Sequence, residues 1–267
     1  MKTLFNIQSD REIGAVHSLL LEVGKDYCSY AVWHKATQTI DVLQFISFDE
    51  KEAAERVADT VNTLRNHSFQ SVHVCSAFPQ ALLVPSKYFN DDCKMLESVY
   101  DEPMPVCLHD RIAEWQMVNQ YAMPEEIVRH LKNVFGQVDF VHAYTPSIKV
   151  YNGYVADHQL MVHFTPQSFR VLLKKDSAIQ LAQTYSYTSP LDVVYYLLKI
   201  CYEFELDQSA VYIILSGLVE KDSALYTEIE QYFINVHFAH PPELKLPENN
   251  HPQYFFTSLY NLATCVS

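Results

Sequence analysis

The hydrophobic pattern of the chain is clearest between Ala210 and Phe233. An unbroken apolar run at Val211–Leu215 predicts a buried strand, because both faces of such a strand are apolar. The Ser216-Gly217 pair that follows predicts a tight turn, and the apolar residues of Asp222–Phe233 recur at the spacing of an amphipathic helix. A weaker copy of the strand lies at Gln70–Ala77, which indicates two related halves.

Each half predicts the same order of elements: three antiparallel strands, a helix, a strand, a helix and a strand. In the first half, strands are predicted at Ala15–Val23, Tyr27–His34, Thr39–Phe48, Gln70–Ala77 and Gln137–Ala143, and helices at Glu50–Leu64 (capped by Asp49) and Pro124–Phe135. In the second half, strands are predicted at His158–Phe164, Gln167–Lys174, Ala178–Tyr187, Val211–Leu215 and Asn235–Phe238, and helices begin at Ser189-Pro190 and Asp222. The offset between the halves is roughly 140 residues throughout, which indicates a duplication.

The halves differ by an insert at about residues 78–122 of the first half. An insert of this length exceeds an ordinary loop, so it predicts a small subdomain or a functional segment. It contains a short helix near Asn90–Tyr100 and a turn at Pro103 and Pro105. We therefore predict a first domain over residues 1–148, with this insert, and a second domain over residues 149–267.

Three segments lie outside this repeated order. Residues 1–13 are mostly polar and predict a loose lead-in, and Tyr144–Tyr154 predicts a link between the halves. A last helix is predicted at Tyr254–Cys265, after a polar loop rich in proline.

The composition excludes some classes of function. The net charge is −13, and an acidic surface repels the phosphate backbone, so we expect no nucleic-acid partner. Only 5 of the 267 residues are glycine. Loops that wrap phosphate groups need glycine, because only glycine lets the backbone approach closely and take positive φ angles.

The cysteines and the hydropathy indicate the compartment. The six cysteines include no Cys-x-x-Cys pair and several lie in apolar runs, which predicts buried, reduced thiols. The first residues contain no apolar stretch long enough for a signal peptide, and no window reaches the length of a membrane span. We therefore expect a soluble cytoplasmic protein without a membrane span.

The order of elements resembles the ribonuclease H-like fold, and its duplication is similar to that of the actin-like ATPases. More closely, the chain resembles a Bacteroidetes family of unknown function, domain of unknown function 3822, for which an actin-like ATPase fold has been reported. The segments that carry this resemblance are LLVPS at Leu82–Ser86, YAMPEEI at Tyr121–Ile127, ILSG at Ile214–Gly217 and YFFTSLYNLATC at Tyr254–Cys265. The resemblance implies an α/β fold of two ribonuclease H-like βββαβαβ halves with a cleft between them. It implies no established activity.

An actin-like fold further implies two phosphate loops and an adenosine loop. The first phosphate loop, normally Asp-x-Gly, corresponds to Glu22–Asp26, which keeps a carboxylate and one glycine. The second, normally Asp-x-Gly-Gly-Gly-Thr, corresponds to His163–Gln167, which has neither glycine nor acid. The adenosine loop, normally Gly-Gly, corresponds to Ser216–Leu218. The residues that the resemblance assigns to a vestigial nucleotide cleft are Glu22, Gly24, Lys25, Asp26, Thr165, Ser216 and Gly217.

These residue types argue against ATP hydrolysis. Hydrolysis needs carboxylates that hold magnesium and open backbone amides around the phosphates. The second loop supplies neither, since Pro166 has no N–H and Phe164 would crowd a phosphate. Two alternatives remain open for single residues: Glu22 as a solvated acid at a strand end, and Gly24 and Gly217 as glycines that a turn or helix start requires.

The remaining candidates for chemistry are weak. The pairs His237-x-x-His240 and His109-Asp110 belong to no recognisable set of four metal ligands. We therefore predict no catalytic residue, no metal site and no cofactor, with ATP and Mg²⁺ as the alternative. The predicted function is a non-catalytic interaction or scaffold protein that binds a partner protein through the insert and the cleft. The alternative is a nucleotide or small-ligand sensor, with weak or no ATPase activity. The sequence predicts neither the partner nor the oligomeric state.

Overall fold

The computed structural model of the chain describes residues 1–101, 106–150, 156–241 and 244–266. The chain divides into two compact units. Unit 1 comprises Met1–Val150, Pro242–Asn250 and Ser258–Ser267, and unit 2 comprises Tyr151–Pro241 and His251–Thr257. The turn predicted at Pro103 and Pro105 and the end of the predicted link lie outside the described residues. The domain boundary after residue 148 stays a prediction.

The strands and helices predicted for the two halves occur in the predicted order, together with an added first strand, a sheet in the insert and a short helix in the predicted link. The strands are β1 (Lys2–Gln8), β2 (Ser18–Val23), β3 (Tyr27–His34), β4 (Thr39–Ser47), β5 (Ser71–Ser76), β6 (Ala81–Pro85), β7 (Cys107–Ile112), β8 (Met117–Ala122), β9 (Asp139–His142), β10 (His158–Phe164), β11 (Ser168–Lys175), β12 (Ala178–Ser186), β13 (Tyr212–Gly217) and β14 (Asn235–Phe238). The helices are α1 (Ala53–Leu64), α2 (Lys94–Tyr100), α3 (Glu125–Phe135), α4 (Tyr144–Lys149), α5 (Pro190–Glu203), α6 (Ala224–Glu230) and α7 (Thr257–Cys265).

The main sheet of unit 1 has six strands in the order β1-β4-β3-β2-β5-β9. The pairs β2–β5 and β5–β9 are parallel, and the other pairs are antiparallel. Every residue of the central strand β2 is buried, including the polar Ser18 and Glu22. Because β2 and β5 are parallel neighbours, their carboxyl ends lie side by side at the same end of the sheet.

Unit 2 repeats this topology. Its five strands follow the order β12-β11-β10-β13-β14, which corresponds to β4-β3-β2-β5-β9 in unit 1. The helices α5 and α6 pack on one face of the sheet and share its core with alternate residues of β10, β11 and β13. Ser189 and Asp192 form a capping box at the start of α5. Two halves of the form βββαβαβ are therefore confirmed.

The prediction of a loose lead-in was wrong. Residues Lys2–Gln8 form the edge strand β1, which pairs with β4. Phe5 and Ile7 point into the core, while the residues between and around them are mostly exposed. An edge strand with one face in solvent contains about as many polar as apolar residues, so its sequence lacks the apolar run by which the other strands were predicted.

The insert forms a small subdomain of its own. Strands β6, β8 and β7 make a three-stranded antiparallel sheet, and α2 packs beside it. Its core is small, with Leu96 and Ala122 buried among partly buried neighbours. The prediction of six reduced thiols was wrong for Cys93 and Cys107, which form a disulfide with Cα atoms 6.2 Å apart. Their separation of 14 residues matched no spacing motif, and only the fold of the insert brings them together.

Candidate functional site

The first predicted loop is a closed turn between β2 and β3. The backbone N–H of Gly24 donates to the carbonyl oxygen of Tyr27 at 2.9 Å, which closes the turn. The carbonyl oxygen of Asp26 accepts from the N–H of Phe48 at 2.9 Å. Both polar backbone groups are therefore used within the protein.

The side chain of Tyr27 fills the space that this loop encloses. Its ring lies so close to Gly24 that a Cβ atom on the glycine would overlap the ring carbons. Its hydroxyl donates to Oε1 of Glu22 at 2.6 Å. The ring also stacks on Phe45, with centroids 5.1 Å apart and planes 7° apart. The hydroxyl of a buried tyrosine therefore holds the one carboxylate that ends strand β2 in this loop.

The alternative interpretation of Glu22 as a solvated acid was wrong, because its exposed fraction is only 2%. Asp26 is equally buried. The side chain of Lys25 extends outward and pairs with Glu50, with Nζ and Oε2 3.3 Å apart. Tyr27 was not predicted as a residue of this loop, although an aromatic residue directly after a turn, five residues beyond a carboxylate, is a visible signal.

The second predicted loop, between β10 and β11, is closed as well. The N–H and the hydroxyl of Thr165 donate to the carbonyl oxygen of Ser168 at 2.8 and 2.9 Å. The carbonyl oxygen of Thr165 accepts from the hydroxyl of Tyr187 at 3.3 Å. Phe164 is buried against Phe169 and Tyr187. In this turn the amide of Thr165 is already bonded, Pro166 has no N–H, and no side chain is acidic.

The third predicted loop follows β13 and meets the second one. Ser216 and Gly217 pair with His163 and Phe164 in the parallel β10–β13 ladder, and so lie next to Thr165 in the fold. The hydroxyl of Ser216 lies 3.0 Å from Nδ1 of His163 and shares a hydrogen bond with it. The structure thus brings Thr165, Ser216 and Gly217 together at one edge of the unit 2 sheet.

Gly217 is required by the backbone. Its φ angle is +74°, and a Cβ atom would overlap the carbonyl oxygen and the amide of Phe164. The carbonyl oxygen of Phe164 also accepts from the N–H of Leu218 at 3.0 Å. Glycine is therefore needed at position 217 because the ends of β10 and β13 approach each other closely there. The role of all seven residues in a vestigial nucleotide cleft stays a prediction.

Metal ligands do not cluster in the part of the chain that the structure describes. No group of three or more His, Cys, Asp or Glu residues there could hold a metal ion. His237 stacks on Tyr212, with centroids 5.6 Å apart. His109 pairs with Asp91 at 3.1 Å.

Unit 1 contains an open cavity that the sequence analysis did not predict. Its volume is about 410 Å³, and it lies between the β2–β3 turn, the start of α1, the start of α3 and both ends of the insert. Its apolar lining includes Phe78, Met123 and Ile127, and its charged lining includes Lys25, Glu50, Lys51 and Glu126. We call this cavity the insert-root pocket. The insert separates Phe78 from Met123 along the chain, so sequence proximity gave no signal.

A polar cluster attaches the insert to the main sheet of unit 1. Oδ2 of Asp110, on β7, accepts from the N–H of His142 at 2.8 Å and from the hydroxyl of Thr145 at 2.7 Å. The amide nitrogen of Asn119 donates to the Thr145 hydroxyl at 3.3 Å. These contacts fix one wall of the subdomain to β9 and α4.

The Asp110 carboxyl predicts a pH dependence of stability. Burial raises its pKa to about 6, although the hydrogen bonds from His142 and Thr145 partly oppose this. Because the folded pKa lies above the unfolded one, the native state holds this proton more tightly. The contribution of this carboxyl to the free energy of unfolding is fully present below about pH 4, and it is lost as the pH rises through about 6. We expect a loss of about 1–2 kcal/mol, since the carboxyl is only partly buried.

Asp110→Asn removes this titration and keeps an acceptor oxygen. Urea unfolding of the wild type and the variant between about pH 4 and about pH 7 should show the wild type losing stability relative to the variant by that amount. Two parallel stability curves would contradict the assignment.

No helix among the described residues combines the length and the apolar character needed to cross a membrane.

Comparison with solved structures gives the fold. A protein of unknown function with an actin-like ATPase fold from Bacteroides thetaiotaomicron superposes with a TM-score of 0.80 at 14% identity, over 94% of this chain and 97% of that one. PilM in the PilM–PilN type IV pilus biogenesis complex gives 0.60 at 13% identity, over 93% and 98%. The ethanolamine utilization protein EutJ from Carboxydothermus hydrogenoformans gives 0.52 at 8% identity, over 96% and 92%.

These likenesses confirm the predicted actin-like ATPase fold. No curated protein matches the chain. The family model described as a protein of unknown function, DUF3822, matches residues 8–236. The match confirms the predicted resemblance, and the chain belongs to the DUF3822 family.

Proposed function

We propose that this chain is a non-catalytic interaction protein, and that a partner protein inserts a short apolar segment into the insert-root pocket. One contrast carries the proposal. Tyr27 fills the first predicted phosphate loop and hydrogen bonds to Ser168 close the second, whereas the pocket at the root of the insert is open.

The closed loops argue against phosphate chemistry. Tyr27 occupies the first loop and holds Glu22, and the amide of Thr165 in the second loop is bonded to Ser168. A triphosphate would need these groups released, and burying an unpaired carboxylate or amide costs about 1–3 kcal/mol each. A phosphate group that binds at either turn would therefore have to open that turn first.

The pocket suits a peptide. Its volume of about 410 Å³ lies within the usual range of ligand cavities. Phe78, Met123 and Ile127 give it a buried apolar floor, and charges of both signs surround it. Apolar anchors in a desolvated pocket with a polar rim are the common arrangement at the centre of a protein interface.

The likeness to PilM supports this proposal. PilM shares this fold, and its structure is that of a complex with PilN. A chain with this architecture can therefore act by binding another protein.

The pocket can be blocked without disturbing the core. Ala54 lines the pocket on α1 and is only partly buried. Ala58 lies one helical turn further on, is buried to a similar degree and does not line the pocket. Ala54→Arg should fill the pocket, and Ala58→Arg controls for the same change of charge and bulk on the same helix.

The experiment starts with affinity capture by the wild type from the native host, followed by calorimetry with the purified partner. We expect Ala54→Arg to weaken binding at least ~10-fold and Ala58→Arg to leave it nearly unchanged, because only the first fills the pocket. Equal affinity of both variants and the wild type would overturn the proposal.

The sensor alternative has its own test. A ligand that binds only the native state raises the melting temperature. Thermal shift with a panel of nucleotides and Mg²⁺, together with a phosphate-release assay, should show no shift and no turnover if both loops stay closed. Turnover of Mg-ATP would replace the interaction proposal by an enzymatic one.

A further inference from the structure

Helix α5 of unit 2 carries a second apolar face, opposite the one in the core. Its inner residues Val193, Val194, Leu197, Ile200 and Cys201 are buried. On the outer face, Leu191, Tyr195 and Tyr202 are 59%, 59% and 83% exposed. Leu198 lies in line with them, is partly buried and also packs against the edge of the core. We call these four residues the α5 seam.

The spacing of the α5 seam is that of a coiled coil. Its residues follow one another at intervals of four, three and four, which places them in one narrow line along the helix. Single exposed apolar residues are common on protein surfaces. Three strongly exposed ones in line, two of them tyrosines, are typical of a face that receives another helix.

The charges beside the α5 seam are arranged so that two copies of the helix would complement each other. Asp192 and Lys199 flank the same side of the seam, seven residues apart. Thr188 and Ser189 donate backbone N–H groups to the Asp192 carboxylate at 2.9 and 2.8 Å, so it keeps its negative charge. Neither residue forms an ion pair within the described ranges of the chain. In an antiparallel pair of α5 helices, each aspartate would face the lysine of the other copy.

We propose that the α5 seam binds a second copy of this chain through an antiparallel α5–α5 contact. Such a contact is isologous, since each helix offers the same residues to the other. It lies in unit 2, whereas the insert-root pocket belongs to unit 1, and it does not depend on the proposed function.

The size of the contact sets its strength. A helix of 14 residues is about 21 Å long, so one helix pair buries less than the roughly 1,200 Å² of a stable interface. The net charge of −13 on each copy also opposes association. The dimer is therefore a weak one that forms at high concentration.

Sedimentation equilibrium of the full chain tests the proposal. Over about 5 to 500 µM, a range that covers weak interfaces, we expect a monomer–dimer equilibrium. Tyr195→Lys places a charge at the centre of the seam in both copies and should weaken the dimer at least ~10-fold. Tyr232→Lys is the matched control, since Tyr232 is 41% exposed and lies outside the seam, and it should keep the wild-type equilibrium.

The flanking charges give a second readout. Lys199→Glu would set aspartate against glutamate in the dimer and should weaken it by about 3- to 10-fold. If circular dichroism shows that Tyr195→Lys does not fold, Leu191→Lys repeats the test at the exposed end of the seam. A monomer at every concentration, or equal association of Tyr195→Lys and the wild type, overturns the proposal. Binding of a helix from another protein without self-association overturns it as well.

Discussion

Replacing Gly217 by alanine is expected to lower the free energy of unfolding by about 3–5 kcal/mol, the upper end for a single substitution. Two causes add. The φ angle of +74° disfavours any residue with a Cβ atom, and the added carbon would overlap the backbone of Phe164. Backbone cannot move aside as a flexible side chain can, so the β10–β13 ladder must shift. Urea unfolding of the full chain measures the loss.

Two other glycines separate the causes. Gly136 also has a positive φ angle, of +73°, but an added Cβ would meet nothing within 4 Å. Gly136→Ala should therefore cost only about 1–2 kcal/mol. Gly14 has open space and no positive φ angle, so Gly14→Ala should change stability by less than about 0.5 kcal/mol. A loss for Gly217→Ala no larger than for Gly136→Ala would show that the close approach to Phe164 is absent.

Replacing Tyr27 by alanine is expected to lower the free energy of unfolding by about 3–5 kcal/mol. The substitution empties the space beside Gly24, removes the stack on Phe45 and takes the hydroxyl from Glu22. Tyr27→Phe keeps the ring and removes only the hydroxyl, so it should cost about 1–3 kcal/mol, the penalty for depriving a buried carboxylate of a donor.

A double-mutant cycle isolates the contact between the two side chains. Tyr27→Phe and Glu22→Leu, measured singly and together by urea unfolding, should show a coupling of about 1 kcal/mol or more, because leucine cannot accept the hydrogen bond. Strictly additive losses would mean that the hydroxyl does not hold the carboxylate. The cycle also matters for the binding measurements, because any loss of binding in a Glu22 variant must first be corrected for a loss of folded protein.

Local patterns predicted most of the fold. The strands Tyr27–His34, His158–Phe164 and Asn235–Phe238 have the predicted bounds, because alternation or continuity of apolar residues depends only on near neighbours. The helix at Ser189-Pro190 was equally clear, since its cap is local too. The helix α4 was missed because its six residues are short of a full periodic pattern and include a proline.

The candidate site was less predictable, because its parts are distant in the sequence. The resemblance assigned the loops, and the lack of glycine and acid at His163–Gln167 predicts that the second loop has lost phosphate chemistry, which stays a prediction. That Tyr27 closes the first loop depends on how its ring rotates over Gly24. The insert-root pocket exists only because the insert folds back and places Phe78 beside Met123, which a single sequence cannot show.

Unit 1 is built from segments that are far apart in the chain, and this has a consequence for its synthesis. Lys245 forms backbone hydrogen bonds with Ile40 and Gln38, at 2.8 and 3.0 Å, and Tyr260 and Leu262 are buried. Unit 1 therefore includes segments that leave the ribosome after all of residues 151–241. While those residues are still being translated, the apolar surface of residues 1–150 that later packs against the C-terminal segments stays exposed. In a chain truncated after residue 150 this surface would stay exposed permanently. The two units therefore cannot be expressed separately by dividing the gene at one position.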